Sequence, residues 1–228
     1  MTSIFCFSGS GHSFAVAKAL SGMTGCEIRE ITCENEKTVQ EEIAVVVFPV
    51  YCQNIPSAVR SFLRRLIAKY IVLIAVYGKI SYGNVRYEAQ SLARGEIIAG
   101  AYIPIGHTFL RGDNSFCEDA LLPVVKRISS PKRVCIPRTR KNPLASILPA
   151  FRSRIGVKVW KNHHCNNCGL CEKNCPAGAI CKGMINSKCI RCLRCAANCP
   201  QNALQHKNIW ILNKYLERYC KEEYVLYL

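Results

Sequence analysis

Short apolar runs alternate with stretches of helical spacing through the first half of the chain, and this alternation predicts a parallel sheet joined by crossover helices. Residues 3–7 read as a first strand, followed by a Gly/Ser loop and a helix over 13–20, with a weaker second strand at 27–32. The unbroken, Val-rich run at 43–50 suits a central strand covered on both faces. After Pro56, Val59, Phe62, Leu63 and Leu66 recur at helical spacing, while Arg60, Arg64 and Arg65 fall off that stripe. Strands at 71–76 and 97–103, a helix at 85–92 and a closing helix at 118–128 complete five strands with helices between them. The expected fold class is α/β, a doubly wound five-stranded parallel sheet of order 2-1-3-4-5.

The pattern dissolves from residue 129 to about 160, where Pro131, Pro137 and Pro143 break regular structure and one short helix is expected near 144–152. In the closing segment, 210–224, Ile211, Tyr215, Leu216 and Tyr219 fall roughly on one helical face. The expected division is a sheet domain over 1–130, a connector over 131–160 and a second, small α+β domain with a C-terminal helix over 161–228. The longest apolar runs, 43–51 and 70–77, have the length of buried strands, so no transmembrane segment is expected. The opening MTSIFCF lacks a basic n-region, so the expected localisation is cytoplasmic.

Composition changes this picture in two places: 16 cysteines and a net charge of +16 in 228 residues. Residues 1–119 balance 11 basic against 11 acidic side chains, whereas 120–171 hold 11 basic and no acidic ones. Eight cysteines lie between 165 and 199 in a repeat of 24 residues. Cys165-x2-Cys168-x2-Cys171-x3-Cys175-Pro176 recurs as Cys189-x2-Cys192-x2-Cys195-x3-Cys199-Pro200. Three thiolates two residues apart can wrap a short turn around one iron–sulfur cubane, and the fourth, turned away by its proline, ligates the other cluster. That spacing assigns Cys165, Cys168, Cys171 and Cys199 to one [4Fe–4S] cluster and Cys189, Cys192, Cys195 and Cys175 to a second. Zinc also accepts thiolates at such spacing, but neither the triplets nor the two Cys-Pro ends are explained by it. The other cysteines (6, 26, 33, 52, 117, 135, 181 and 220) are expected to be plain hydrophobes.

The loop after the first strand, Ser8-Gly9-Ser10-Gly11-His12-Ser13, offers hydroxyls and backbone N–H groups at the positive end of a helix. The Walker spacing and its lysine are absent, and Phe14 stands where a dinucleotide fingerprint needs its third glycine. What fits is the phosphomonoester of FMN. In the expected strand order the ligand lies beyond strands one, three and four, where Pro49, Val50, Tyr51 and Cys52 and then Tyr77, Gly78, Tyr82, Gly83 and Asn84 occur. Tyr51, Tyr77 or Tyr82 are candidates to stack on the flavin ring.

Taken together, the Phe7–Ser13 loop, Phe48-Pro49-Val50-Tyr51 with Ile55-Pro56, Tyr82-Gly83-Asn84 and the two cysteine runs resemble a family of small anaerobe proteins. These fuse a flavodoxin-like domain to a bacterial-type two-cluster ferredoxin. The resemblance spans nearly the whole chain and implies an electron carrier with FMN and two [4Fe–4S] centres. The chain departs from the pattern at His12, where Asn or Thr is usual, at Cys52-Gln53-Asn54, and over residues 107–115.

The leading functional expectation is electron transfer between FMN and the clusters, stepping between two-electron and one-electron donors. Flavin-dependent reduction of a quinone or other small acceptor is the alternative, with His107 or Tyr82 as proton donor. Even after about −2 for each cluster with its thiolates and for the phosphate, the protein stays near about +10. This favours an acidic redox protein as partner, such as a ferredoxin, a flavodoxin or a reductase. No aromatic-interleaved basic motif points to nucleic acid.

Overall fold

The computed structural model describes residues 1–32, 38–110, 114–147 and 149–228, with only the backbone of 149–152. A first unit runs β1 (Thr2–Cys6), α1 (His12–Thr24), β2 (Ile28–Glu30), β3 (Val39–Pro49), α2 (Ser57–Arg65), β4 (Leu66–Tyr77), α3 (Val85–Gln90) and β5 (Arg94–Pro104). A 3-10 turn at Glu118–Leu121 leads into α4 (Leu122–Ser129), another occupies Pro143–Ser146, and α5 (Pro149–Gly156) follows. The cysteine module comprises β6 (Val157–Lys161), α6 (Leu170–Lys173), β7 (Ile180–Cys181), β8 (Met184–Ile185), α7 (Arg194–Ala197) and β9 (Leu204–Asn208). The chain ends with α8 (Trp210–Arg218) and β10 (Val225–Tyr227).

The central sheet has the order β10-β5-β4-β3-β1-β2 and is parallel except for β10, a mostly parallel arrangement consistent with a flavodoxin-like fold. Alternation along β1 and β3 sends Phe5, Val46 and Phe48 to one face and Ile4, Cys6, Val45 and Val47 to the other. Val59, Phe62 and Leu63 of α2 cover the first face, and Val16, Ala17 and Leu20 of α1 the second. Leu66 belongs to no helix stripe. It opens β4, which starts five residues before the run expected at 71–76 and pairs in register from Val39↔Leu66 onward.

Among the described residues the central sheet has six strands where five were expected. The C-terminal residues leave the cysteine module and return to the sheet, where Val225↔Tyr102 and Tyr227↔Gly100 pair antiparallel. The helix expected over 210–224 ends at Arg218 for that reason. An edge strand with open N–H and C=O groups recruits a partner, and β10 fills that position against β5. The return is held by side chains too. Tyr77 Oη donates to Glu223 O at 2.8 Å and accepts from Glu223 N at 3.0 Å. Arg86, fully buried, stacks under Tyr102 at 3.5 Å and donates to Val225 O at 3.2 Å. Glu223 and residues 225–227 are therefore bonded to the central sheet.

The basic connector is likewise no free linker. Val134 N donates to Ile97 O at 2.7 Å, Ile136 is buried in the core, and Lys141 reaches Glu88 at 2.7 Å and Asn54 at 2.8 Å. The helix expected over 118–128 is realised as a 3-10 turn followed by α4, with a proline in the first turn of the α-helix. No helix among the described residues is long and apolar enough to cross a membrane.

Candidate functional site

The 24-residue repeat in sequence is also a repeat in backbone conformation. Asn167 and Arg191 (φ 58° and 57°), Gly169 and Leu193 (75° and 60°), and Gly178 and Asn202 (55° and 46°) are paired left-handed residues. α6 and α7 start at equivalent positions, and each is followed by a matching turn, Gly178 N to Cys175 O and Asn202 N to Cys199 O. At the ends of the repeats Ala179 N donates to Cys175 Sγ and Ala203 N to Cys199 Sγ, both at 3.2 Å. Glycine takes the left-handed region without penalty, so Leu193, which holds it in place of Gly169, carries roughly 1–3 kcal/mol of backbone strain.

The eight thiols sort into two hollows. Cys165, Cys168, Cys171 and Cys199 line a cavity of about 540 Å³, together with Lys161, Lys182 and Glu172. Cys175, Cys189, Cys192 and Cys195 line a small one of about 20 Å³, together with Arg191 and Arg194. Among the described residues, no three His, Cys, Asp or Glu side chains converge tightly enough to hold a single metal ion. A cubane instead takes its thiolates at separated iron corners, and four thiols around each hollow, reached by backbone N–H donors, fit that donor set. Burial pushes Cys192 up to about 12 and Cys195 to about 11, so as free thiols they stay protonated at neutral pH. Cys199 goes the other way: its small desolvation is outweighed by the N–H groups of Leu204, Ala203 and Gln201, which lower it. The strongly positive charge of iron would hold all of them as thiolates.

A second cavity of about 540 Å³ opens at the carboxyl ends of β1, β3, β4 and β5, in the size range of small-ligand sites. Of the residues expected to bind FMN it contains Ser10, His12, Pro49, Val50, Tyr51, Cys52, Tyr77 and Gly78. Phe109, Arg60 and Arg64 line it as well, and on the facing side Ile190, Arg191 and Cys192 close it. Ser10 Oγ accepts from Thr108 Oγ1 at 3.1 Å and meets His12 Nδ1 at 3.3 Å. Ser13 Oγ, at the start of α1, is buried with no hydrogen-bond partner among the described residues, and it lines neither this cavity nor the adjoining cleft at Gly9. Two loop amides are already taken, since Gly11 N and Phe14 N both donate to Ser8 Oγ. His12 is lowered by burial, and His107 is lowered to about 4 by burial and by His12, so both rings are neutral at pH 7.

Ser8, Gly9 and Gly11 line an adjoining cleft of about 250 Å³ with Glu30 and Arg194, whose side chains pair at 2.9 Å across the two units. A Cβ on Gly9 would collide with Tyr51 Oη and Cys192 Cβ. This loop therefore packs directly on the second cysteine repeat.

Three further expected flavin contacts lie elsewhere. Tyr82 stacks on Tyr102 at 3.9 Å and donates to Glu223 at 3.3 Å, while Gly83 O and Asn84 Oδ1 accept from Thr139 of the connector at 2.6 Å and 2.8 Å. None of the three lines the cavity, because the returning tail and the connector occupy that side of the sheet. Tyr77 does line it, with its hydroxyl committed to Glu223. The remaining cysteines are corrected too. Among the described ones only Cys6 is buried, its thiol pushed up to about 12, while Cys26 is half-buried and Cys52, Cys117, Cys135, Cys181 and Cys220 are exposed. Cys33 lies outside the described residues.

Residues 184–205 match the family model Fer4, a 4Fe-4S binding domain. That span contains Cys189, Cys192, Cys195 and Cys199 and supports a [4Fe–4S] cluster and iron–sulfur electron transfer. Among curated proteins there is no significant match. One similar solved structure, from Bacteroides uniformis ATCC 8492 and provisionally described as a flavoprotein, is 13% identical. The match covers 55% of this chain and 97% of that one at a TM-score of 0.42, too distant a likeness to bear on fold or cofactor.

Proposed function

We propose that the protein is an electron carrier that passes electrons between FMN, held in the sheet-end cavity, and two [4Fe–4S] clusters in the cysteine repeats, on behalf of acidic redox proteins. The observation that carries this reading is the shared wall: Cys192, a cluster-type cysteine, lines the cavity that also holds Ser10, His12, Tyr51 and Tyr77. FMN supplies two-electron chemistry and each cluster a one-electron step, and the protein's own task is to bind, orient and insulate them.

The residues divide that task. Ser10 and the N-terminus of α1 receive the phosphate, and Tyr51, Tyr77 and Phe109 wall the ring site. Cys165, Cys168, Cys171 and Cys199 hold one cluster and Cys175, Cys189, Cys192 and Cys195 the other. Cys175 and Cys199 accept N–H bonds, which draw charge from sulfur. The first hollow lies among exposed residues, Cys168, Leu170 and Met184, on the side where an external partner can approach.

The alternative, reduction of a small acceptor, loses support. Tyr82 stands away from the cavity, and His107, lowered to about 4, is at neutral pH the weakly acidic neutral imidazole and not the imidazolium. Anaerobic purification followed by assay of iron, sulfide and flavin tests the carrier reading. It expects about eight iron, about eight sulfide and about one FMN per chain. Stoichiometric zinc with trace iron, or clusters without any flavin, overturns it.

A further inference from the structure

The two cysteine repeats are not equivalent toward the sheet-end cavity. Three consecutive residues of the second repeat, Ile190, Arg191 and Cys192, line both that cavity and the hollow of Cys175, Cys189, Cys192 and Cys195. Among the described residues, none of the first hollow's cysteines lines the sheet-end cavity.

Arg191 stands at the centre of this junction, and its twin in the first repeat, 24 residues earlier, is Asn167. Both positions are left-handed, at φ 57° and 58°. Asparagine visits that region readily and arginine does not, so the sequence keeps an arginine where its own repeat shows a better-suited residue. The guanidinium is fixed, with Nε donating to Val157 O at 3.0 Å. Its Nη1 is buried and has no hydrogen-bond partner among the described residues. An unpartnered buried donor on a cation is costly, and it marks a place for negative charge. The other cation of the second hollow, Arg194, is paired with Glu30 at 2.9 Å. In the first hollow the Lys161 ammonium donates to Lys182 O at 3.2 Å, and Glu172 accepts from the backbone N of Lys182 at 2.9 Å.

We propose that Arg191 is a positioning residue for electron entry: its guanidinium holds the negative charge that arrives with an electron at the second-repeat cluster, and so makes that cluster the flavin's immediate electron partner. The inference rests on the carrier reading above and adds the order flavin, second-repeat cluster, first-repeat cluster. Each electron converts one [4Fe–4S] centre from the 2+ to the 1+ state, with no bond made or broken. A fixed cation beside a cluster stabilises its 1+ state and raises its potential.

The test is an anaerobic titration of the full-length holoprotein with dithionite, followed by electron paramagnetic resonance, on wild type, Arg191→Asn and Arg191→Lys. Asparagine is chosen because position 167 carries it in the same backbone conformation, so the variant is expected to melt no lower than wild type. The expected result is two cluster reduction steps, of which Arg191→Asn lowers only one. The expected size is at least a tenfold change in its oxidised-to-reduced ratio at fixed potential, about 59 mV for one electron. Arg191→Lys keeps most of the wild-type value. Full iron and flavin content with no shift, or with both steps moving together, overturns the inference alone. A wild-type protein without iron or flavin overturns the carrier reading and this inference with it.

Discussion

Gly9→Ala probes the contact on which the two units depend. Gly9 does not use the left-handed region, so a methyl group there costs nothing in backbone conformation. What it meets is Tyr51 Oη, at the end of a rigid ring, and Cys192 Cβ, one bond from the backbone of the second repeat. Neither atom can swing aside, and overpacking of this kind costs about 1–3 kcal/mol. For a chain of this length each kcal/mol moves the melting temperature by about 2–4 °C, so a drop of roughly 2–12 °C is expected. Scanning at one fixed rate under anaerobic conditions makes the comparison fair where cofactor loss is irreversible. Tyr51→Phe removes one of the two obstacles, and in the Gly9→Ala background it should restore part of the loss, with a coupling of about 0.5–3 kcal/mol. Gly11→Ala is the control: it adds a Cβ in open space at φ 99°, where only backbone strain of about 1–2 kcal/mol applies. Tyr51→Phe should leave that loss unchanged. If Gly9→Ala melts with wild type, or if Tyr51→Phe rescues both glycine variants equally, the direct packing of the loop on the second repeat is refuted.

Further outcomes follow from the same structure. His107 is lowered to about 4 in the folded protein from about 6.5 in the unfolded chain, so the unfolded state binds more protons between those values. Stability from the neutral ring is therefore fully present above about pH 6.5 and is lost as pH falls towards about 4, by up to about 3 kcal/mol. Denaturation measured across that window should show a shallower decline for His107→Asn, and equal slopes would refute the assignment. The excess of 16 positive charges predicts that electron transfer to an acidic carrier protein slows steeply as salt rises. A stopped-flow rate that is flat in ionic strength would remove electrostatic steering.

The sequence by itself determined the periodic elements and the chemistry that sits within them. Strand runs such as 43–50 declare themselves because a strand buried on both faces admits nothing polar, and the cysteine spacing is a local geometric requirement around a cluster. The Ser8–Ser13 loop was legible for the same reason, as one turn at the head of one helix. Only the tertiary structure decided what depends on residues far apart in the chain. Val225–Tyr227 is too short a run to be recognised until the open edge of β5 offers it hydrogen bonds, and once it docks, Tyr77 and Tyr82 bond to the tail. Residues 131–160 read as a basic connector, yet Ile136 is buried in the core of a sheet that the linear pattern does not show, and Ala145 is buried beside Asn54. That Phe109, Arg60 and Arg191 share one cavity wall gave no signal along the chain, because such a wall is assembled from loops that meet only after the strands have fixed their order. Local propensity and ligand spacing are written residue by residue, whereas a shared wall between two units exists only where chain entropy has already been overcome by folding.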